Sequence, residues 1–154
     1  MSLKYISPSE EGDYENIVYS VSDRTELVFA VSACKDVHVA LSEIPGILTR
    51  FTYELIIGAS ENSMTVLRNG INGPTLTQSS TSNILNCSSQ RLFWLSWAGG
   101  VVSFGSGLVV QQSRVLYYKN PSPHSVNALS VMTPGGVLGN FTFENFAGKF
   151  INWL

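Results

Sequence analysis

The sequence predicts an all-β protein: a single-domain, jelly-roll-like β-sandwich of about nine or ten short antiparallel strands. Apolar and polar residues alternate with period two through much of its 154 residues, as they do in half-buried strands. Turn residues recur at a spacing of about 8–12 residues, which is typical of sandwiches and barrels. No helical stripe of ordinary length is visible. A chain of this length can bury a sizeable core in one domain.

The predicted strands follow one another along the chain, each bounded by turn residues. Leu27, Phe29 and Val31 define one face of the first clear run, ELVFAVSA. The later runs are DVHVAL, FTYELIIG, SMTVLRN, RLFWLSW, VVSFGSG, RVLYYKN, VNALSVMT and GNFTFENF. Asn-Gly, Gly-Gly and proline residues between these runs mark the turns.

The glycines of RLFWLSWAGGVVSFGSG are predicted to make turns and close backbone contacts. Ala98-Gly99-Gly100 fits a short hairpin connection between two strands. A dinucleotide or S-adenosylmethionine cradle needs a helix after its glycine turn and an acid about 20 residues later. Strand-like residues follow Gly107 instead, and no acid occurs before Glu144. The sequence therefore predicts no cofactor.

One domain is predicted overall, with an N-terminal arm and first strand over residues 1–26 and the sandwich over 27–154. The segment from Ser7 to Asn16 is acidic and polar, which is typical of a loop or arm. The first residues lack the apolar core of a signal peptide, so none begins at Met1; if Met1-Ser2-Leu3 is not native, a removed natural leader stays open. The location stays open, although a surface rich in serine, threonine and asparagine favours an extracellular one.

Charge and hydropathy argue against two classes of partner. The net charge is −2, so no nucleic-acid partner is predicted. No apolar run reaches the ~20 residues needed to cross a bilayer, so no membrane insertion is predicted. The charge is unevenly distributed: three arginines, one lysine and no acid occur from Asn62 to Phe143.

Cys34 and Cys87 are the only cysteines. They form one disulfide if the fold brings them together, or remain two buried thiols, which is the interpretation favoured here. Two cysteines without neighbouring histidines make no zinc site. No metal site is predicted, although Asp36, Glu54 and Glu61 would suit calcium if their loops converged.

No catalytic residue is predicted. The nucleophile pattern G-x-S-x-G is absent, and His38 and His124 are the only candidate imidazole bases. Asp36 and His38 share a strand face at i and i+2, which suits a pair of metal ligands or a base with its orienting acid. The same spacing suits a satisfied polar pair near a strand edge, and we favour that interpretation.

Trp94 and Trp97 are predicted to point to opposite faces of one strand, because side chains alternate. One indole is therefore expected in the core. The other either stands in a groove, as a platform for the apolar face of a sugar, or is buried as well. Burial of both faces, between sheets or at a dimer interface, is the interpretation favoured here.

Three motifs, in order along the chain, resemble one known family. DVHVAL resembles an acid-x-His-x-x-Leu strand, and YELIIGASENSMTVLR resembles a Tyr-Glu-x-x-Ile-Gly, Asn-Ser and closing Arg pattern. FWLSWAGGVVSFGSG resembles a Phe-Trp-x-x-Trp, Gly, Gly-x-Gly signature. Together they resemble the farnesoic acid O-methyltransferase-like domain family from about Leu27 to Phe143, with a minor departure at Ala59. The family name implies an S-adenosylmethionine-dependent enzyme, whereas similar modules in animal extracellular proteins imply a binding role.

The sequence thus predicts a non-catalytic ligand-binding module with carbohydrate as the first ligand class. The alternatives are the methyltransferase that the family name implies and a protein-interaction or structural module. The predicted ligand-binding residues are Asp36, His38, Asn62, Arg68, Trp94 and Trp97. Arg68 would donate to an acidic ligand or pair with Glu54, and we favour the pair. A homodimer or other homo-oligomer is also predicted, since sandwich modules of this size often dimerise.

Overall fold

Thirteen strands account for most of the residues that the structure, a computed structural model, describes: 2–7, 14, 17–144 and 150–152. They are β1 (Ser2–Ser7), β2 (Ile17–Ser20), β3 (Glu26–Ser32), β4 (Val37–Ser42), β5 (Tyr53–Gly58), β6 (Met64–Asn69), β7 (Thr75–Ser80), β8 (Arg91–Ser96), β9 (Val101–Ser106), β10 (Arg114–Lys119), β11 (Ala128–Met132), β12 (Gly139–Glu144) and β13 (Phe150–Asn152). Two helical turns, Ala59–Asn62 and Ala98–Gly100, complete the elements of these ranges. Within the described ranges, no helix is long and apolar enough to cross a membrane.

The strands form two antiparallel sheets with the core between them. The six-stranded sheet has the order β1-β12-β3-β8-β9-β10, and the seven-stranded sheet has the order β13-β2-β11-β4-β5-β6-β7. The predicted all-β sandwich is therefore confirmed, with more strands than the sequence pattern indicated.

Side-chain alternation explains which residues fill the core. On β5, Tyr53, Leu55 and Ile57 join the core cluster, while Glu54 lies on the opposite face of the sheet. A group of stacked and tilted phenylalanines from the six-stranded sheet faces them: Phe29, Phe93, Phe104, Phe141 and Phe143. Rings and branched chains at alternate positions are what a pleated, buried surface accommodates.

The glycine-rich hairpin is confirmed. Strands β8 and β9 pair antiparallel across Ala98–Gly100, with Ser96 opposite Ser103. After Gly107 the chain forms a loop that extends to Ser113 and then enters β10. No helix begins there, so the glycines serve turns and strand contacts, as predicted.

The first 26 residues contribute strands to both sheets. β1 pairs with β12 along its whole length, and β2 pairs with β11 and β13. The predicted polar arm between Ser7 and Asn16 lies outside the described residues, apart from Ser7 itself and Tyr14.

Cys34 and Cys87 form a disulfide across a sequence separation of 53. The favoured prediction of two buried thiols is therefore wrong. Cys34 lies in the turn between β3 and β4, and Cys87 lies in the loop between β7 and β8. Both residues are exposed, so the usual burial of free cysteines was the wrong guide. The bond ties the β7–β8 loop to one end of the sandwich.

Candidate functional site

Two predicted binding residues, His38 and Arg68, lie beside a buried carboxylate on the outer face of the seven-stranded sheet. Glu54 is the direct cross-strand partner of Arg68. Its Oε2 accepts a hydrogen bond from the Tyr14 hydroxyl at 2.8 Å and lies 3.4 Å from His38 Nδ1. Its Oε1 accepts from the Asn72 amide at 3.1 Å. The carboxylate thus takes its hydrogen bonds from these three residues, not from Arg68 as the sequence suggested.

The Glu54 carboxylate is satisfied inside the fold. Glu54 is only 1% exposed. Burial raises the pKa of this carboxyl, but the hydrogen bonds from His38, the Asn72 amide and Tyr14 outweigh burial and hold the pKa below its usual value. Burial, reinforced by the Glu54 charge, raises the pKa of the Tyr14 hydroxyl. This cluster therefore pairs the Glu54 carboxylate within the sheet face.

Asp36 and Asn62 lie at one end of the sandwich, in the turns that precede β4 and β6. Asp36 has a φ of 53°, which is not a strand conformation. The strand alternation that predicted a shared face for Asp36 and His38 therefore does not include Asp36. Its amide donates to the Gly58 carbonyl at 3.0 Å. Of the six predicted residues, His38 contacts the Glu54 carboxylate, and Arg68 lies opposite Glu54 on the neighbouring strand.

Trp94 and Trp97 are both buried, as the favoured interpretation expected. Trp94 has no exposed surface, and its Nε1 donates to the Gln112 carbonyl at 2.6 Å. Its cross-strand partner is Gly105, where an added Cβ would lie 2.4 Å from the indole ring. Trp97 keeps 9% of its surface and belongs to the core cluster. Neither ring offers a face to a ligand, so the alternative of an exposed sugar platform is corrected.

The carboxylates considered for calcium do not converge. Glu54 lies at the start of β5, whereas Glu61 follows the end of that strand. The Glu61 carboxylate accepts a hydrogen bond from Lys35 Nζ at 2.8 Å. In the part of the chain that the structure describes, no three His, Cys, Asp or Glu residues are grouped to hold a metal ion.

His124, the second candidate base, packs into the opposite end of the sandwich. Its Nε2 lies 2.6 Å from Asn69 Oδ1, and its ring centroid lies 4.6 Å from that of Tyr53. Its own amide donates to the Tyr53 hydroxyl at 3.1 Å. Burial lowers the pKa of His124. These contacts give it a structural role in the loop before β11.

A solvent-open cleft of about 380 Å³ lies between the β7–β8 loop and strands β8, β9 and β10. Its volume falls at the lower end of the ~300–1,000 Å³ range of small-molecule sites. Hydroxyl, carboxamide, guanidinium and apolar groups line it: Thr81, Ser82, Asn83, Ile84, Arg91, Leu92, Phe93, Ser106 and Val115. Such a lining can hydrogen-bond a polar ligand and contact its apolar surface.

Asn62 holds the loop wall of this cleft in place. Its Nδ2 donates to the Leu85 carbonyl at 2.9 Å, and its Oδ1 accepts from the Leu85 amide at 3.1 Å. Its main-chain carbonyl accepts from the Asn83 amide at 2.9 Å. Asn62 has a φ of 62°, a left-handed conformation that asparagine tolerates better than most residues. Asn62, one of the predicted site residues, thus supports the wall of the cleft without being one of its lining residues.

The strand wall is built by the start of β8 and the end of β9. Phe93 and Ser106 are cross-strand partners, and the buried ring of Phe93 belongs to the core. Leu92 is 46% exposed, and Arg91, the first residue of β8, is also exposed. The cleft therefore has an apolar floor and a cationic rim.

The cleft residues were not among those predicted from the sequence. The run TSNILN before β8 contains the short polar side chains that such a wall needs. Similar polar runs occur in other loops of this chain, so composition alone does not single this one out. Its significance depends on the Asn62 contacts and the disulfide, which join residues far apart in sequence.

The model of one protein family, described as farnesoic acid O-methyl transferase, matches residues 4–147. The chain belongs to the farnesoic acid O-methyltransferase family. The resemblance inferred from the three motifs is thereby confirmed, and the match extends beyond them at both ends. A relative, "Uncharacterized protein 5" of Haliotis asinina, is 31% identical over 112 residues, which are 73% of this chain. The chain spans 64% of the length of that curated relative.

Solved structures place this family member in a wider fold group. It is similar to the carbohydrate binding module CBM66 from Bacillus subtilis, with a TM-score of 0.55 and 7% identity over 92% of this chain and 95% of that chain. It is also similar to the VIP36 exoplasmic/lumenal domain, with a TM-score of 0.50 and 6% identity over 94% and 73% of the respective chains. At such identities the likeness shows the fold alone, which is a jelly-roll sandwich shared with carbohydrate-binding proteins.

Proposed function

We propose that this domain is a non-catalytic carbohydrate-binding module and that the cleft beside the β7–β8 loop is its binding site. The lining of the cleft carries the proposal. Short hydroxyl and amide side chains suit the hydroxyl groups of a sugar, while Ile84, Leu92 and Val115 suit the apolar faces of its rings. This assignment moves the predicted site away from the two tryptophans and from His38.

Two further observations support this function. CBM66 is named as a carbohydrate binding module, and the VIP36 domain was solved in a Ca²⁺/Man₃GlcNAc-bound form. Both share the fold of this chain. The Cys34–Cys87 disulfide is typical of proteins in oxidising surroundings. It therefore supports the predicted extracellular setting.

A glycan array followed by calorimetry on the bound glycans tests the proposal. A bulky side chain at Ser82, which is exposed on the loop wall, should close the cleft. Ser82→Trp is therefore expected to weaken binding at least about tenfold, the effect of losing roughly 1.4 kcal/mol. Ser122→Trp, on an exposed loop outside the cleft lining, is the matched control and should bind as the wild type does. Equal binding by both variants would contradict the assigned site.

The alternative function is the methyl transfer that the family description names. It requires S-adenosylmethionine binding, which calorimetry measures directly. Saturable heat with that cofactor, together with no glycan bound on the array, would replace the proposal by the enzyme. A protein-interaction module, the third predicted function, would give neither signal.

A further inference from the structure

We infer that the cleft selects an anionic saccharide, one that carries a carboxylate or a sulfate ester, and that Arg91 binds its charged group. This inference rests on the proposed carbohydrate function and names the ligand class of the same site. Three features of the cleft carry it: the position of Arg91, the absence of acids in the surrounding chain, and the neutral hydrogen-bonding groups beside the guanidinium.

Arg91 is available to a ligand. It lines the cleft, it is exposed, and no side chain among the described residues forms an ion pair with it. Two other arginines differ, because Arg50 lies 4.8 Å from the Phe51 ring centroid and Arg114 lies 4.1 Å from that of Tyr117. Arg91 thus keeps its planar fork of donors free for a carboxylate or sulfate, which arginine binds in a bidentate manner.

The electrostatic surroundings favour an anion. All nine lining residues come from the stretch between Asn62 and Phe143, which has no aspartate or glutamate. Asn62 anchors the loop wall, and the acid closest to it in sequence is Glu61. The Glu61 carboxylate is paired with Lys35, whose Nζ lies 2.8 Å from Oε1. A ligand carboxylate therefore meets a positive charge without an opposing negative one on the cleft wall.

The groups beside Arg91 are neutral and suit the rest of a saccharide. Ser82 and Asn83 are exposed on the facing wall, and Leu92 follows Arg91 on β8. A sugar ring that packs on Ile84 and Val115, which also line the cleft, can present hydroxyls to the loop and an anionic substituent to the guanidinium. Because different groups bind the sugar ring and its anionic substituent, the site should also bind the neutral sugar, and the anionic charge should increase the affinity.

Calorimetry with matched ligand pairs tests the inference. The probes are trigalacturonic acid against its methyl ester, and a sulfated carrageenan oligosaccharide against its desulfated form. The first pair reports on carboxylate and the second on sulfate ester, so the two sources of charge are distinguished. We expect at least one anionic probe to bind about tenfold or more tightly than its neutral partner, as charge-assisted hydrogen bonds allow. The preference should decrease with added salt.

Arginine variants assign the effect to one side chain. Arg91→Gln should remove the preference for the anionic probe and leave binding of the neutral probe unchanged. Arg91→Lys should retain part of the preference, because lysine keeps the charge but loses the bidentate geometry. Arg114→Gln, which lies outside the cleft lining and removes the same formal charge, is the control and should behave as the wild type does. Circular dichroism establishes that each variant is folded.

Three outcomes separate the failure of this inference from the failure of the proposed function. If neutral glycans bind but the anionic and neutral probes of both pairs bind equally, the anionic specificity is wrong and the carbohydrate function stands. Equal loss of preference in Arg91→Gln and Arg114→Gln would also overturn the role of Arg91, since it would indicate a diffuse charge effect. If no glycan of any charge binds, the proposed function fails, and the inference fails with it.

Discussion

Asn62 bridges both main-chain polar groups of Leu85, donating from Nδ2 to the carbonyl at 2.9 Å and accepting from the amide at Oδ1 at 3.1 Å. One side chain thus makes the pair of hydrogen bonds that the main chain of a neighbouring strand would make. Leu85 in turn is 3% exposed and packs into the core. The wall of the cleft is therefore fixed to the sandwich by a carboxamide from a turn 23 residues earlier in the chain.

Asn62→Ala should destabilise the fold and loosen the cleft. It removes both bonds to Leu85, leaves buried main-chain groups unpaired, and places a less tolerant residue at a φ of 62°. The expected loss is about 1–3 kcal/mol in the free energy of unfolding, measured by urea denaturation. Asn127→Ala, which removes a single exposed bond to the Glu43 carbonyl, should cost less. A larger loss for Asn127→Ala would contradict the role given to Asn62.

Removing the disulfide should weaken the fold and the same wall. The double variant Cys34→Ser and Cys87→Ser releases a constraint that spans 53 residues, and the expected loss is about 2–4 kcal/mol in the free energy of unfolding. Hydrogen exchange in the β7–β8 loop should also accelerate. A reductant should bring the wild type to the stability of the double variant and leave that variant unchanged. Detection of two free thiols in the unfolded, unreduced protein would sink this prediction.

Gly105→Ala should disturb Trp94 directly. The added methyl group would lie 2.4 Å from the indole, so the ring must shift in a packed environment, at a cost of roughly 1–3 kcal/mol. Tryptophan fluorescence should shift because the indole loses its enclosed position and its bond to Gln112. Gly99→Ala is the control: its Cβ meets nothing within 4 Å, although its φ of 64° carries a strain of roughly 1 kcal/mol. If Gly99→Ala proves the more damaging, the packing account of Gly105 is wrong.

Acid titration should reveal the contribution of Glu54. Burial raises the pKa of this carboxyl, but hydrogen bonds from His38, the Asn72 amide and Tyr14 lower it below 4.5 overall. The folded state therefore gains stability from the ionised form above that value, and loses it as the pH falls through the lower folded pKa. The free energy of unfolding, measured by urea at a series of acidic pH values, should decline accordingly.

Glu54→Gln should flatten this acid dependence and lower stability at neutral pH, since charge-assisted bonds become neutral ones. Glu43→Gln replaces an exposed carboxylate and is expected to leave both the slope and the neutral stability unchanged. An unaltered acid slope in Glu54→Gln would assign the dependence to another group.

Local sequence pattern predicted the elements whose structure depends on near neighbours. Alternation identified β3 to β6 and β8 to β12, because a pleated strand exposes its two faces at every second residue. The Ala98–Gly100 connection was predictable because glycine permits the positive φ that this tight turn uses at Gly99 and Gly100. The burial of both tryptophans was also the favoured prediction.

The site was not predictable, because it depends on contacts between distant segments. Alternation places Trp94 on an outer face, where its indole donates to the Gln112 carbonyl of the loop between β9 and β10. Glu54 was paired with Arg68 from sequence, and the register does place them opposite each other. Tyr14, 40 residues earlier in the chain, and the Asn72 amide provide the hydrogen bonds instead. The cleft depends likewise on Asn62 and the disulfide.

The strands nearest the two chain ends are interleaved. β1 pairs with β12, and β13 pairs with β2, so each terminus is held in a ladder by the other. A fragment that starts at Leu27 would lack β1 and β2. Without β1, β12 would become an unpaired edge strand of one sheet. Without β2, β11 would become an edge strand of the other sheet, and β13 would lose its described partner. Unprotected edges of this kind recruit other chains and promote aggregation. Fragments or fusions of this domain should therefore retain both ends together.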